Sequence, residues 1–328
     1  MKRHPFKYFI YFTLGLLSIL SCNNQNNKEN KVNATEIEIK IERFDQKFDS
    51  ITNSNIFELK NKYPFLFPKK YSDSFWIDKS NDTIYKILRT AVNKKFSIIN
   101  NLEKEISHFY KHIKHEFPKT KIPRIVSVIN NVDYNNKLIL ADSLLIISID
   151  SYLGFDHDLY SGIPLFIKKK LDLEYLISQI ADIYADKLVS PPLERNFLSK
   201  IIFHGKKLYF KDIIIPHKND AVKIEYNENE NSWAKENELF IWQYIVEKKI
   251  LYDNDNSLEA RFLLPAPFSK FYLEIDNDSP GRIGQWIGWQ IVRSYANRYP
   301  EIGIEKIINL SAHEIFINSK YKPKKKWH

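Results

Sequence analysis

One cysteine in 328 residues, at position 22, constrains this chain more than any other feature. A lone thiol excludes an intramolecular disulfide framework and any zinc or iron–sulfur site built from cysteines. The fold must then be held by its apolar core. The material is present: 44% of residues are hydrophobic, among them 22 Phe, 19 Tyr and 6 Trp, which excludes a disordered chain. Eight glycines leave little for phosphate-cradling loops. No P-loop, G-x-G-x-x-G or G-x-S-x-G motif occurs.

The surroundings of Cys22 explain it. Lys2, Arg3 and Lys7 precede the 13-residue apolar run Tyr8 to Leu20, which reads as a signal peptide over 1–21, too short for a comfortable membrane span. Ile19-Leu20-Ser21-Cys22 looks like the lipobox of bacterial lipoproteins, in which the thiol is diacylated and the peptide is cut before Cys. Two or three acyl chains hold a protein on a membrane firmly. Removing 1–21 takes away three cations and no anion, so the net charge falls from +9 to +6. Residues 22–35 then read as lipidated Cys plus polar tether, with Val32 the one apolar residue of Asn23 to Asn33. A periplasm-facing anchor in the cell envelope is expected, with the membrane as partner through Cys22 and no nucleic acid.

Beyond the tether, Ile37, Ile39 and Ile41 alternate with charged residues, a strand signal. From Asp82 to Phe117 apolar residues recur every three or four positions, predicting one long helix or two, ended by Pro118. Strands follow in RIVSVIN, KLILA and SLLIISID. Helices are expected over Leu173–Val189, Trp233–Leu251 and Arg282–Asn297, with a last amphipathic stretch over Ile304–Asn318. The Trp233 helix should turn Leu239, Trp242, Ile245, Val246 and Ile250 inward. With no repeat or long linker, the expectation is a mixed α/β fold, one helix-rich domain with a small sheet over 36–328, ending in a basic tail.

The candidate chemistry is sparse. His108, His112 and His115 share a helix face at a spacing that can chelate Zn²⁺ or Cu²⁺, and read as a polar face on the solvated flank. His115-Glu116 and His313-Glu314 lack the second His of a zinc-protease signature. Asp156-His157-Asp158 lies on a loop. A metal-dependent hydrolase, the rival reading, needs His157, His204 and His217 to converge. Lys168-Lys169-Lys170 and Lys324-Lys325-Lys326 suit a solvated surface or anionic envelope polymers. Gly284 and Gly288 lie four apart and allow close packing. Trp233, Trp242, Trp286 and Trp289 serve as core or as interface.

Several stretches together resemble the gliding motility lipoprotein GldB family: NSWAKENELFIWQYIVEKKILY, RFLLPAPFSKFYLEIDNDSPGRIGQWIGWQIVRSY and INSKYKPK, supported by IERFD, YPFLFP, SIDSYLGFDHDLY and FHGKKLYFKDIIIP. The resemblance covers roughly residues 36–325. It implies an envelope lipoprotein working with other gliding and type IX secretion proteins, with no known reaction and no cofactor. The order of elements is more distantly similar to zinc proteases carrying HExxH. In those, the helix at Leu173–Val189 would supply the metal ligands; here LEYLISQIADIYADKLV contains no His. A lone His204, at the place of a further ligand, cannot hold a catalytic metal. The resemblance therefore implies a zincin-like scaffold that has lost its metal and binds rather than cleaves.

Overall fold

A computed structural model describes Val32 and residues 34–323. The signal-peptide and Cys22 readings, and Lys324-Lys325-Lys326, lie outside the described residues. Val32 is buried.

The chain opens with strand β1 (Ile41–Arg43), then short helices α1 (Phe44–Asp49), α2 (Ile56–Lys62) and α3 (Asp73–Asn81). Burial alternates before β1 as expected, Ile39 and Ile41 inside with Glu38 and Lys40 outside. The strand is nevertheless short. Arg43 folds back on buried Asp45 (Nη2–Oδ2 2.6 Å), and the chain turns into α1. The short helices interlock through aromatic edges: Phe44, Phe48, Tyr63, Phe67 and Trp76 meet with ring centroids between 5.0 and 6.4 Å apart.

The amphipathic stretch is two helices, α4 (Thr83–Lys95) and α5 (Asn100–Glu116). Asp82 starts α4 by accepting the Tyr85 N–H at 3.0 Å. Leu88, Val92, Phe96, Leu102, Ile106, Phe109 and Ile113 are all buried, as the spacing predicts. Strands β2 (Arg124–Val128), β3 (Leu138–Ala141) and β4 (Leu144–Ser148) complete a four-stranded mixed sheet in the order β1-β2-β4-β3. β1, β2 and β4 are parallel, and β3 runs antiparallel to β4. The helices between β1 and β2 supply the crossover that a parallel pair requires.

The second half is helical: α6 (Leu165–Lys168), α7 (Leu173–Leu188), α8 (Phe197–Ile214), α9 (Asp220–Ile224), α10 (Glu228–Glu236), α11 (Glu238–Glu247), α12 (Ser257–Phe262), α13 (Ile283–Arg298), α14 (Ile304–Asn309) and α15 (Ala312–Ser319). The α/β expectation, one helix-rich fold with a small sheet, matches this architecture. The expected Trp233–Leu251 helix is two. Asn237 breaks it: its backbone N–H and its carboxamide both donate to the Trp233 carbonyl, at 3.0 and 2.9 Å. α11 consequently buries Ile241 and Ile245, while Val246 is exposed. The last stretch also divides, because Ser311 caps α15 by accepting the Glu314 N–H at 3.1 Å.

α8 escaped the sequence reading. Phe197, Leu198, Ile201, Ile202, Leu208, Phe210 and Ile214 are buried around most of its circumference, so no single apolar stripe stands out. It joins two cores. Phe210 and Ile214 pack with the sheet, α5 and α7, whereas Phe197, Ile201 and Ile202 pack with α11 and α13. α8 and α13 approach closely at Gly205 and Gly288. A Cβ on Gly288 would strike the Ile201 backbone, and one on Gly205 the Gly288 backbone. Gly284 faces Phe262, Leu263 and Phe197.

Candidate functional site

The chemistry of this chain concentrates where α7, α8 and α9 meet the start of α13. Ser178 and Asp182, four apart, lie on one face of α7. Between them the Lys211 ammonium of α8 donates to Ser178 Oγ (2.9 Å), Asp182 Oδ2 (2.8 Å) and the Lys223 carbonyl (2.7 Å). The Lys211 side chain is only 2% exposed. A lysine from the next helix thus sits between the two side chains. Burial lifts the Asp182 carboxyl above its ordinary range, and the Lys211 cation opposes that rise.

Beside this lies a second group. Gln179 accepts the Tyr152 hydroxyl at 2.9 Å and donates to the Lys170 carbonyl (3.0 Å) and to Glu225 Oε2 (3.4 Å). Glu225 ends α9 with φ of 56°, and Arg282 precedes α13 with φ of 64°, both left-handed without being glycine. The two meet: Arg282 Nη2 donates to the Ile224 carbonyl at 2.6 Å and to the Glu225 carbonyl at 3.3 Å. Burial would raise the Glu225 carboxyl, yet Lys170, Lys211, Arg282 and Lys137 together outweigh it and hold the group below the carboxylate range. Burial, then the Arg282 charge, pushes the Lys170 ammonium down to about 7, and burial lowers Lys137 as well.

A third set completes the ionic belt. Arg293 of α13 forks between Asp212 (2.7 Å) and Asp220 (2.7 Å), and Lys223 adds to Asp212 at 3.0 Å. The Trp289 indole donates to Asp212 at 2.8 Å, with the Arg293 guanidinium 3.7 Å above its ring. Arg293 and Asp220 also line a surface cavity of about 650 Å³ with Glu238, Trp286, Gln290 and Tyr321. There Glu238 accepts from the Trp286 indole (3.2 Å) and the Tyr321 hydroxyl (2.9 Å). Trp286 and Trp289, three apart, are both buried because they cross edge to face at 5.7 Å and each finds a carboxylate. Trp233 and Trp242 are half-buried on separate helices, Trp242 edge-on to Tyr321 at 5.1 Å.

The expected histidine sites are rearranged. The His108 face is not a solvated flank throughout: His112 is buried, and His217, in the turn after α8, reaches His108. His108 meets His112 at 4.7 Å and His217 at 4.9 Å, while Lys218 pairs with Glu105 at 2.7 Å. His157 sits elsewhere, its Nδ1 accepting the Leu159 N–H at 3.2 Å. His204 packs on Phe203, and burial drops its imidazole to about 4. Among the described residues no group of three or more His, Cys, Asp or Glu side chains is placed to hold a metal. The lysine run 168–170 is also not uniformly solvated: Lys169 pairs with Glu230 at 3.3 Å, and Lys170 faces the crowded interior cluster.

Sequence reasoning missed Lys211, Asp212, Asp182, Glu225 and Arg293. One signal was available: Lys211-Asp212 interrupts the apolar run Leu208 to Ile215, and charges embedded in such a run must find partners inside.

Among the described residues no helix is long and apolar enough to cross a membrane. The model of the family described as "Gliding motility protein GldB", a lipoprotein family, matches residues 25–323. No curated protein and no solved structure matches the chain, and similarity to zinc proteases is not shown. The match spans nearly the whole chain, which therefore belongs to that family.

Proposed function

We propose, from that membership, that the protein is a lipid-anchored envelope component of the gliding machinery, acting by protein contacts with motility and type IX secretion partners rather than by catalysis. The observation that carries this reading is the family match over residues 25–323, beginning three residues after Cys22. The lipobox supports cleavage after residue 21, acylation of Cys22 and a periplasm-facing domain. The cavity lined by Glu238, Trp286, Gln290 and Tyr321 is the candidate contact surface, mixing aromatic and charged groups as interfaces do.

Replacing the chromosomal copy with a Cys22→Ala form tests the anchor. Colony spreading and secretion should both fail while the protein still accumulates. Full spreading with the unlipidated form would refute the anchoring argument.

A further inference from the structure

A cavity of about 300 Å³ lies between the short aromatic helices and the outer part of the sheet. Phe44 and Phe48 of α1 and Trp76 of α3 line it from the helices, and Val128, Ile139 and Ile146 of β2, β3 and β4 from the sheet. Ile139 and Ile146 are cross-strand partners, so their side chains share one face. The helices leave part of the lining open to solvent: Ile139 is 46% exposed and Phe65 40%. Helix α3 adds two polar groups. Trp76 is only 7% exposed, and its indole N–H meets no acceptor. Buried donors are nearly always paired, so an orphan in a cavity wall points to a missing acceptor. Lys79 lies three residues on, hence on the same side of α3, with its ammonium 5.6 Å from the Trp76 ring centroid. Among the described residues it is the only charged member of the lining. The apolar walls also forfeit dispersion contacts across the void, which an apolar occupant would restore.

We infer that this cavity takes the chain of a medium-length fatty acid, its carboxylate accepting from the Trp76 indole and pairing with the Lys79 ammonium. At about 30 Å³ for each water-sized group, the space holds about ten of them, which sets the chain near ten carbons. A carboxylate suits both donors at once, because its two oxygens can each accept. An alcohol or ester would satisfy the indole and leave the ammonium without a counter-charge. No protein side chain joins an apolar stem of that length to an acid, which favours a fatty acid over a partner's side chain. This inference does not depend on the motility reading.

The test uses the full chain in lipid nanodiscs with a diazirine-bearing decanoic acid as photoprobe, and labelled residues are read by mass spectrometry. Labelling should saturate and fall on the cavity walls. Decanoate should displace the probe about tenfold better than decanol, the worth of one charge-assisted hydrogen bond, and Lys79→Met should erase that preference. Ile146→Trp fills the space and should abolish labelling of the walls. Should that variant not fold by circular dichroism, Ile139→Trp at the exposed rim carries the same expectation. Labelling that never saturates, or that lies outside the cavity, would overturn the site, as would wild-type labelling in the folded tryptophan variant. Equal displacement by decanol and decanoate would overturn the acid and assign the cavity to a neutral apolar occupant.

Discussion

Lys211→Met isolates the contribution of the internal cation. Methionine preserves the stem of the side chain and removes only the ammonium, so packing against α7 is largely kept. Three acceptors lose their donor. Ser178 and the Lys223 carbonyl retain each other, through a hydroxyl donated at 3.1 Å. Asp182 loses its short ion pair with Lys211, but its side chain is 32% exposed and water can rehydrate it. Breaking a fully buried pair costs about 3–5 kcal/mol. Partial rehydration places this variant at the lower end, about 3 kcal/mol. Urea unfolding of the mature domain measures it, as a fall in midpoint at unchanged slope. The double variant Lys211→Met/Asp182→Asn removes the orphaned charge and should recover at least about 1 kcal/mol, a coupling expected of residues in one network. A single-variant loss below about 1 kcal/mol, or simple additivity in the double variant, would show that Lys211 is not the partner of the α7 pair.

Two further perturbations probe other supports. Gly288→Ala places a methyl against the Ile201 backbone, which cannot yield without parting α8 from α13; a loss of about 3 kcal/mol or more follows. Gly303→Ala, with open space around it, should change the urea midpoint little. Near the sheet, the hydrogen bond from Arg124, outweighing burial and aided by the Tyr63 hydroxyl, draws the Glu42 carboxyl down to about 2. Its folded value lies below its unfolded one, so its stabilisation is full above about pH 4.5 and is lost as pH falls toward 2. Partial exposure limits the effect to about 1–2 kcal/mol, and Glu42→Gln should flatten the acid limb of a stability–pH curve by that amount.

The legible parts of this fold are those where one face of an element is wet. α4, α5 and the strand run before β1 each carry a polar side, so Leu88, Ile106 or Ile39 could be assigned inward from spacing alone. α8 has no such side: it is enclosed by the sheet core at one end and by α13 at the other, and its periodicity dissolves. The GRIGQWIG stretch was legible as close packing but not its partner, because Gly205 lies 83 residues upstream of Gly288 in the helix that periodicity could not reveal. The break at Asn237 depends on a single carboxamide competing for the Trp233 carbonyl, a local event within a helical pattern.

The histidines and lysines show the same limit from the side of chemistry. Spacing groups His108, His112 and His115 because they are near in sequence, whereas the fold keeps the His108–His112 contact and adds His217, 109 positions from His108. Lys168, Lys169 and Lys170 read as one run, but consecutive residues beside a short helix point in different directions, so Lys169 pairs with Glu230 while burial lowers the basicity of Lys170. The net charge of +9 is therefore not all displayed at the surface, since Lys211 is committed to the interior. The positive charge that first suggested a surface for envelope polymers is in part an internal arrangement.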